Sequence, residues 1–139
     1  SSSSDKEVAG LLIGKSNREF VVISDAITGA QEGSRTSVEL SAETQAYVVE
    51  RLNEIRSNNY IVGWYHTHPS LGVFMSGTDI QTQHCYQHVF HHAVALIIDP
   101  TMLFNNSRNL QVSFKVFRVN GNSRCHELPT KIIYTRERI

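Results

Sequence analysis

Two cysteines, Cys85 and Cys125, are too few in 139 residues to make a disulfide scaffold. Small secreted domains stapled by disulfides carry more, so a reducing compartment, the cytoplasm, is the expectation. An excess of one charge is also missing, since 13 Lys and Arg stand against 13 Asp and Glu. That balance offers no broad electrostatic grip on nucleic acid or an anionic membrane, and neither is expected as a partner. No apolar run approaches the roughly 18 residues that a membrane-crossing helix needs. Ser1 to Ser4 lack the basic-then-apolar pattern of a secretory leader. Residues 1–6 are expected to be a Ser-rich linker or a cloning remnant, with the domain proper over 7–139. The helical zinc-protease motif His-Glu-x-x-His is absent, as are internal repeats. What remains is 40% apolar and 19% charged, ordinary for a globular chain long enough for one core.

Strand and helix signals alternate along that chain. Val8 to Ile13 is a short apolar run containing Gly10 and closed by Gly14, which reads as a buried strand. Phe20 to Ile27 is β-branched and reads as a second strand. Thr28 to Thr36 has two glycines and no periodic apolar face, as expected of an exposed loop. Ser41 suits an N-cap, after which Tyr47, Val48, Leu52 and Ile55 recur at helical spacing. Tyr60 to His68 reads as a strand stopped by Pro69, and a helix is expected from Gly77 to about His91. Ala93 to Ile98 reads as a buried strand ended by Asp99-Pro100. Gln111 to Val119 reads as another, with Val112, Phe114 and Val116 on one side. The tail from Lys131 is expected to add a short strand or helix. Strands interleaved with two helices predict an α/β or α+β fold with helices packed on a sheet.

Chemistry concentrates in His66-Thr67-His68-Pro69 and Ser76-Gly77-Thr78-Asp79. Alternate strand residues face the same way, so His66 and His68 can converge on one ion. Pro69 turns the chain out of the sheet, and the loop that follows is long enough to return Asp79 on the first turn of the next helix. Two imidazoles and a carboxylate suit zinc, and three protein ligands leave a fourth position open, as catalytic zinc sites do. Plainer readings compete. Ser76-x-x-Asp79 has the form of a capping box, and His66 and His68 could simply be hydrogen-bonded at a strand end.

The run GWYHTHPSLGVFMSGTDIQTQ, residues 63–83, closely resembles the signature of the JAMM (MPN-plus) metalloisopeptidases. That signature has His-x-His-Pro, then Ser and Asp, and an upstream Glu ahead of an apolar run, matched here by Glu7 in Glu-Val-Ala-Gly-Leu-Leu-Ile-Gly. The likeness continues through VVISDAITG, the helix from Ser41 to Arg56 and AVALIIDP. Gly63-Trp64-Tyr65 and Leu71-Gly72 look most like the deubiquitinating subunit of the proteasome lid and its close relatives.

The resemblance implies a single MPN-like domain with a mixed, curved β-sheet flanked by helices. It implies one catalytic Zn2+ held by His66, His68 and Asp79. Glu7 would be the acid–base group and Ser76 the oxyanion donor; without the family, Glu7 reads as a surface acid. The implied activity is zinc-dependent deubiquitinase-type hydrolysis of the isopeptide bond between ubiquitin, or a ubiquitin-like protein, and a lysine. The alternatives are processing of a ubiquitin-fold sulfur carrier, or a zinc-retaining scaffold without catalysis. An MPN-type dimer partner or a proteasome-like assembly would accompany it. The loop Thr28 to Thr36 lies where the family's first insertion often orders on substrate. Two departures stand out. The family's helix ahead of the motif Glu has no counterpart in the six residues before Glu7. Gln81 stands where linkage-specific members begin a second zinc site with His. Cys125-His126, and the run of His84, His88, His91 and His92, read as surface residues.

Overall fold

The structure, a computed structural model, describes residues 7–28, 42–69, 72–106 and 109–134. Its elements run β1 (Ala9–Ser16), β2 (Val21–Thr28), α1 (Ala42–Glu54), β3 (Tyr60–Thr67), α2 (Gly77–Val89), β4 (Val94–Asn106), β5 (Asn109–Val119) and β6 (Cys125–Leu128). The strands form one mixed sheet in the order β2-β1-β3-β4-β5-β6. Among the described residues, only β3 and β4 pair in parallel, and the segment joining them contains α2, as a parallel crossover requires. This is an α/β fold of the MPN-like kind.

Period-two alternation sends each strand's side chains to two faces. Leu11, Ile13, Trp64, Ala95, Ile97, Phe117 and Val119 line one face, packed with Val48 and Leu52 of α1 and with Met75, Ile80 and Tyr86. Leu12, Val62, Val94 and Val116 line the other, with Tyr65, Phe90 and Phe114 beside them. Phe114 and Val116 thus share a side, as their spacing predicts. A register break between Leu12 and Ile13 leaves Val62 as an extra residue in β3. That bulge lets Ile61 and Trp64 reach the helix-covered face together.

The structure differs from the sequence reading, or goes beyond it, at four points. First, β4 does not stop at Asp99-Pro100. Its parallel pairing with β3 ends at Ile98, and its register with β5 breaks between Asp99 and Leu103. Pro100 sits in that break, where its missing N–H is not demanded by a ladder. Second, Tyr47 and Ile55 are exposed, while Val48 and Leu52 carry the packing of α1. Ile55 lies past the helix end, where Arg56 N–H reaches Asn53 O and Ser57 N–H reaches Leu52 O. Arg56 there takes the left-handed φ of 56°, so the helix closes in a Schellman motif. Third, β6 goes unforeseen because its Cys-His-Glu-Leu alternates too weakly to read as a strand. Fourth, residues 131–134 form no strand or helix, and the rest of the tail lies outside the described residues. Ser41 and the loop after Thr28 lie outside the described residues, and Thr28 itself closes β2.

Gly63 marks a close approach between β3 and β4. A Cβ there would sit 2.1 Å from the Val94 carbonyl oxygen, and that oxygen belongs to the backbone of the paired strand. Gly63→Ala is expected to destabilise the fold by about 1–3 kcal/mol or more. Chemical denaturation checks this; an unchanged midpoint would mean that β4 moves freely at this point.

Candidate metal centre

The centre is assembled where β3 runs out of the sheet. Ala9 pairs with His66 across the antiparallel β1–β3 ladder. Thr67 N–H continues it to Val8 O at 2.9 Å, and Val8 N–H meets Thr67 Oγ1 at 2.8 Å. That register puts the side chains of Glu7, His66 and His68 on one face. His68 N–H reaches Ile98 O at 2.7 Å, prolonging the β3–β4 pairing through the second histidine before Pro69 turns the chain away.

The return path is fixed by three anchors. Gly72, at a φ of 91°, donates its N–H to Asp99 Oδ2 at 2.9 Å. Met75 buries itself in the helix-covered core. Ser76 then caps α2: its Oγ accepts from Asp79 N–H at 3.1 Å, while Asp79 Oδ2 accepts from Ser76 N–H at 3.0 Å. The capping box anticipated as the plain reading is real. It coexists with the second role, since the same carboxylate meets both imidazoles. Asp79 Oδ1 lies 2.9 Å from His66 Nδ1, and Oδ2 lies 3.0 Å from His68 Nε2.

Among the described residues, His66, His68 and Asp79 are the one group of three whose donor atoms could hold a metal ion. Those atoms lie within 4.8 Å of one another, and the residues are 2–3% exposed. Glu7 is no free surface acid: its Oε1 is 2.9 Å from His66 Nε2, and its side chain is 17% exposed. Ionised carboxylates only accept, so His66 can satisfy Asp79 and Glu7 together only with both ring nitrogens protonated. Burial alone would pull the His66 pKa down, but Asp79 and then Glu7 outweigh it and hold it above the ordinary range. Burial likewise works to raise Asp79, and hydrogen bonds from His66, His68 and Ser76 overcome it, leaving the carboxyl far below its usual range. The cluster thus stabilises positive charge between carboxylates. His68 Nδ1 is buried with no hydrogen-bond partner. Imidazole and carboxylate donors of this kind fit a borderline cation such as zinc.

These shifts set a pH dependence for the metal-free protein. The raised His66 pKa stabilises the fold fully below about pH 6.5 and loses that contribution as pH climbs through the folded value. The lowered Asp79 pKa stabilises above about pH 4 and loses its contribution as pH falls. In chelator, the thermal midpoint is therefore expected to drop as the pH climbs from about 6.5 through the raised His66 value. A rise across that window would contradict a protonated His66.

The other flagged residues stay outside the cluster. His84 Nε2 lies 3.0 Å from Ser123 Oγ, and His88, His91, His126 and Gln81 are exposed. Cys85 is exposed and Cys125 packs partly against the core, both as free thiols. In the sequence Asp99 reads only as a strand stop, yet it is fully buried and tethers the loop that brings Asp79 back. Its signal was a lone carboxylate at the end of a wholly apolar run.

Comparison with protein families matches residues 1–92 to the family described as JAB1/Mov34/MPN/PAD-1 ubiquitin protease. The match contains Glu7, His66, His68, Ser76 and Asp79, and it also takes in the six residues read as a linker. The COP9 signalosome complex subunit 5 of Kluyveromyces lactis is 35% identical over 97 residues, covering 69% of this chain and 26% of the relative. The protein of that name from Drosophila melanogaster is 31% identical over 114 residues, covering 80% and 35%. The one from Oryza sativa subsp. japonica is 38% identical over 98 residues, covering 68% and 27%. The chain spans about a quarter to a third of the length of these curated relatives. These relatives carry the signalosome name and not that of the proteasome-lid subunit.

Proposed function

The chain belongs to the JAB1/Mov34/MPN/PAD-1 ubiquitin protease family, and on that premise we propose that it is a zinc-dependent isopeptidase. Its reaction is hydrolysis of the bond joining the C-terminus of ubiquitin, or a ubiquitin-like modifier, to a lysine amine. One observation carries the reading. Three buried donors from β3 and α2 converge within 4.8 Å, and a partly exposed carboxylate, Glu7, stands against them.

His66, His68 and Asp79 are the residues that would hold zinc, which would supply Lewis acidity and water activated at neutral pH. Glu7 lies at the boundary between the buried cluster and solvent. Its carboxylate takes a proton from the attacking water and returns it to the departing amine. Ser76 Oγ accepts from Asp79 N–H, so its own hydroxyl hydrogen remains to donate to the carbonyl oxygen as negative charge gathers there. The Phe74 ring is tilted against the His68 ring with centroids 4.9 Å apart, and Phe74 is 45% exposed. It gives the approach an apolar wall for an extended modifier tail. The catalytic domain is taken to span residues 7–139. Unpaired Cys85 and Cys125 suit a reducing compartment such as the cytoplasm. Because the relatives are named as subunits of a complex, an assembly partner is proposed as its working context.

Ser76→Ala separates two duties. Loss of the cap is expected to cost about 1 kcal/mol of stability, and loss of the hydroxyl is expected to lower turnover by ~10²–10³-fold. Zinc content should be retained. Turnover at the wild-type rate would remove Ser76 from the reaction.

The function itself is tested with a panel of ubiquitin-like conjugates, incubated with zinc-loaded and chelator-stripped protein, alone and with an MPN-type partner. Cleavage dependent on zinc supports the isopeptidase. Bound zinc with no cleavage of any conjugate favours a scaffold, and cleavage confined to a sulfur-carrier tail favours the processing enzyme.

A further inference from the structure

One helical turn beyond Asp79 lies a glutamine that the chemistry above does not use. Gln83 is fully buried, and an uncharged amide there is tolerated only if its hydrogen bonds are met. Its Oε1 accepts from Trp64 Nε1 at 2.7 Å. Its Nε2 donates to Ala93 O at 2.8 Å and to Gln87 Oε1 at 2.7 Å. Gln87 in turn clasps β5, donating to Val119 O at 2.8 Å and accepting from Val119 N–H at 2.9 Å. Every polar atom of the Gln83 amide is committed.

The placement of this network matters more than its strength. Trp64 precedes His66 by two residues on β3, a step of about 6.6 Å along a strand. Gln83 follows Asp79 by four residues on α2, a step of about 6 Å along a helix. β3 runs toward the metal centre and α2 runs away from it. The Trp64–Gln83 bond and the His66–Asp79 bond are therefore two rungs of one ladder between the same strand and the same helix. The indole also stacks between the two elements, 6.1 Å from the His66 ring and 6.0 Å from the Tyr86 ring. One rung alone would let α2 swivel or slide about the centre. Two rungs fix the translation and rotation of the carboxylate relative to the imidazoles.

We propose that Gln83, acting through Trp64, is a positioning residue that holds Asp79 in register with His66 and His68, so that the donor set is assembled before an ion arrives. This inference rests on the metal-site reading. Without the lower rung, the contacts between Asp79 and the two histidines would have to do the positioning themselves, and those are the groups a cation must engage. The sequence pattern carries the same pairing: Trp64 and Gln83 both fall within the 63–83 run, outside the ligand set.

The test compares wild type with Gln83→Met, Trp64→Phe and Val116→Ala in the full chain. Gln83→Met keeps the length of the side chain and removes all of its hydrogen bonds. Trp64→Phe keeps a ring beside His66 and removes the indole donor. Val116→Ala opens the core on the opposite face of the sheet and serves as a control for lost stability. Each protein is stripped of metal and titrated with cobalt(II) against a competing chelator. The imidazole ¹H–¹⁵N signals are recorded on the metal-free forms. Gln83→Met and Trp64→Phe are expected to weaken cobalt binding ~10-fold or more and to move the His66 and His68 signals. Val116→Ala is expected to lower the thermal midpoint while leaving both readouts in place. Should Gln83→Met fail to fold, Trp64→Phe decides. The proposal is overturned if the folded variants bind cobalt as wild type does with unmoved imidazole signals, or if Val116→Ala reproduces their losses. A wild type that takes up no cobalt defeats the metal-site reading instead, and the imidazole signals still judge the positioning role.

Discussion

Glu7→Gln is expected to keep one zinc per chain and to lose ~10²–10⁴-fold in turnover of an isopeptide reporter. The substitution is nearly isosteric and leaves the backbone link between Val8 and Thr67 untouched. What it removes is the ability to take up a proton and release it again. The amide can still accept a hydrogen bond from His66 Nε2, which Glu7 Oε1 meets at 2.9 Å, so the imidazole keeps a partner. Asp79 continues to face both histidines, so the donor set survives. The expected loss therefore falls on kcat with metal content unchanged. Equal turnover in the variant would show that the proton moves by another route.

Asp79→Asn and His68→Ala are expected to lose zinc and turnover together, with metal affinity falling by more than the ~10–100-fold typical of residues outside a ligand set. Asp79 is the keystone of three contacts. Its carboxylate receives His66 Nδ1, His68 Nε2 and the Ser76 N–H. Replacing it with an amide turns one oxygen into a donor that faces groups which are themselves donors, and it removes the anion that holds His66 protonated. His68→Ala spares the cap but leaves Asp79 Oδ2 without its imidazole, at about 1–3 kcal/mol for a buried acceptor stripped of a partner. Zinc titration and thermal unfolding with and without chelator check both. Retained stoichiometric zinc in either variant would show that the ion sits elsewhere.

The sequence disclosed the strand–loop–helix that carries the site because each signal in it is local. Alternation places His66 and His68 on one face, Pro69 ends the strand, and the spacing of Ser76 and Asp79 marks a helix start. The strands β1 to β5 are legible for the same reason, as apolar or β-branched runs, whereas β6 is not. Contacts made across the sheet were not. Glu7 reads as a surface acid unless the family resemblance is invoked, and only the β1–β3 register shows it beside His66. Asp99 looked like punctuation, and only the return of Gly72 to its carboxylate gives it a role. Gln83 looked like one more polar residue on α2, whose tie to Trp64 crosses 19 positions of sequence. Pro100 misled because strand-breaking depends on whether a neighbouring ladder needs its N–H, which the register alone decides.

A crystal structure of the zinc-loaded protein tests the account most directly. The prediction is one zinc per chain in contact with His66, His68 and Asp79, with no fourth protein side chain, and with Glu7 beside it. An ion bound at another place, a fourth side chain closing the coordination, or the three donors turned apart in the loaded protein would contradict it.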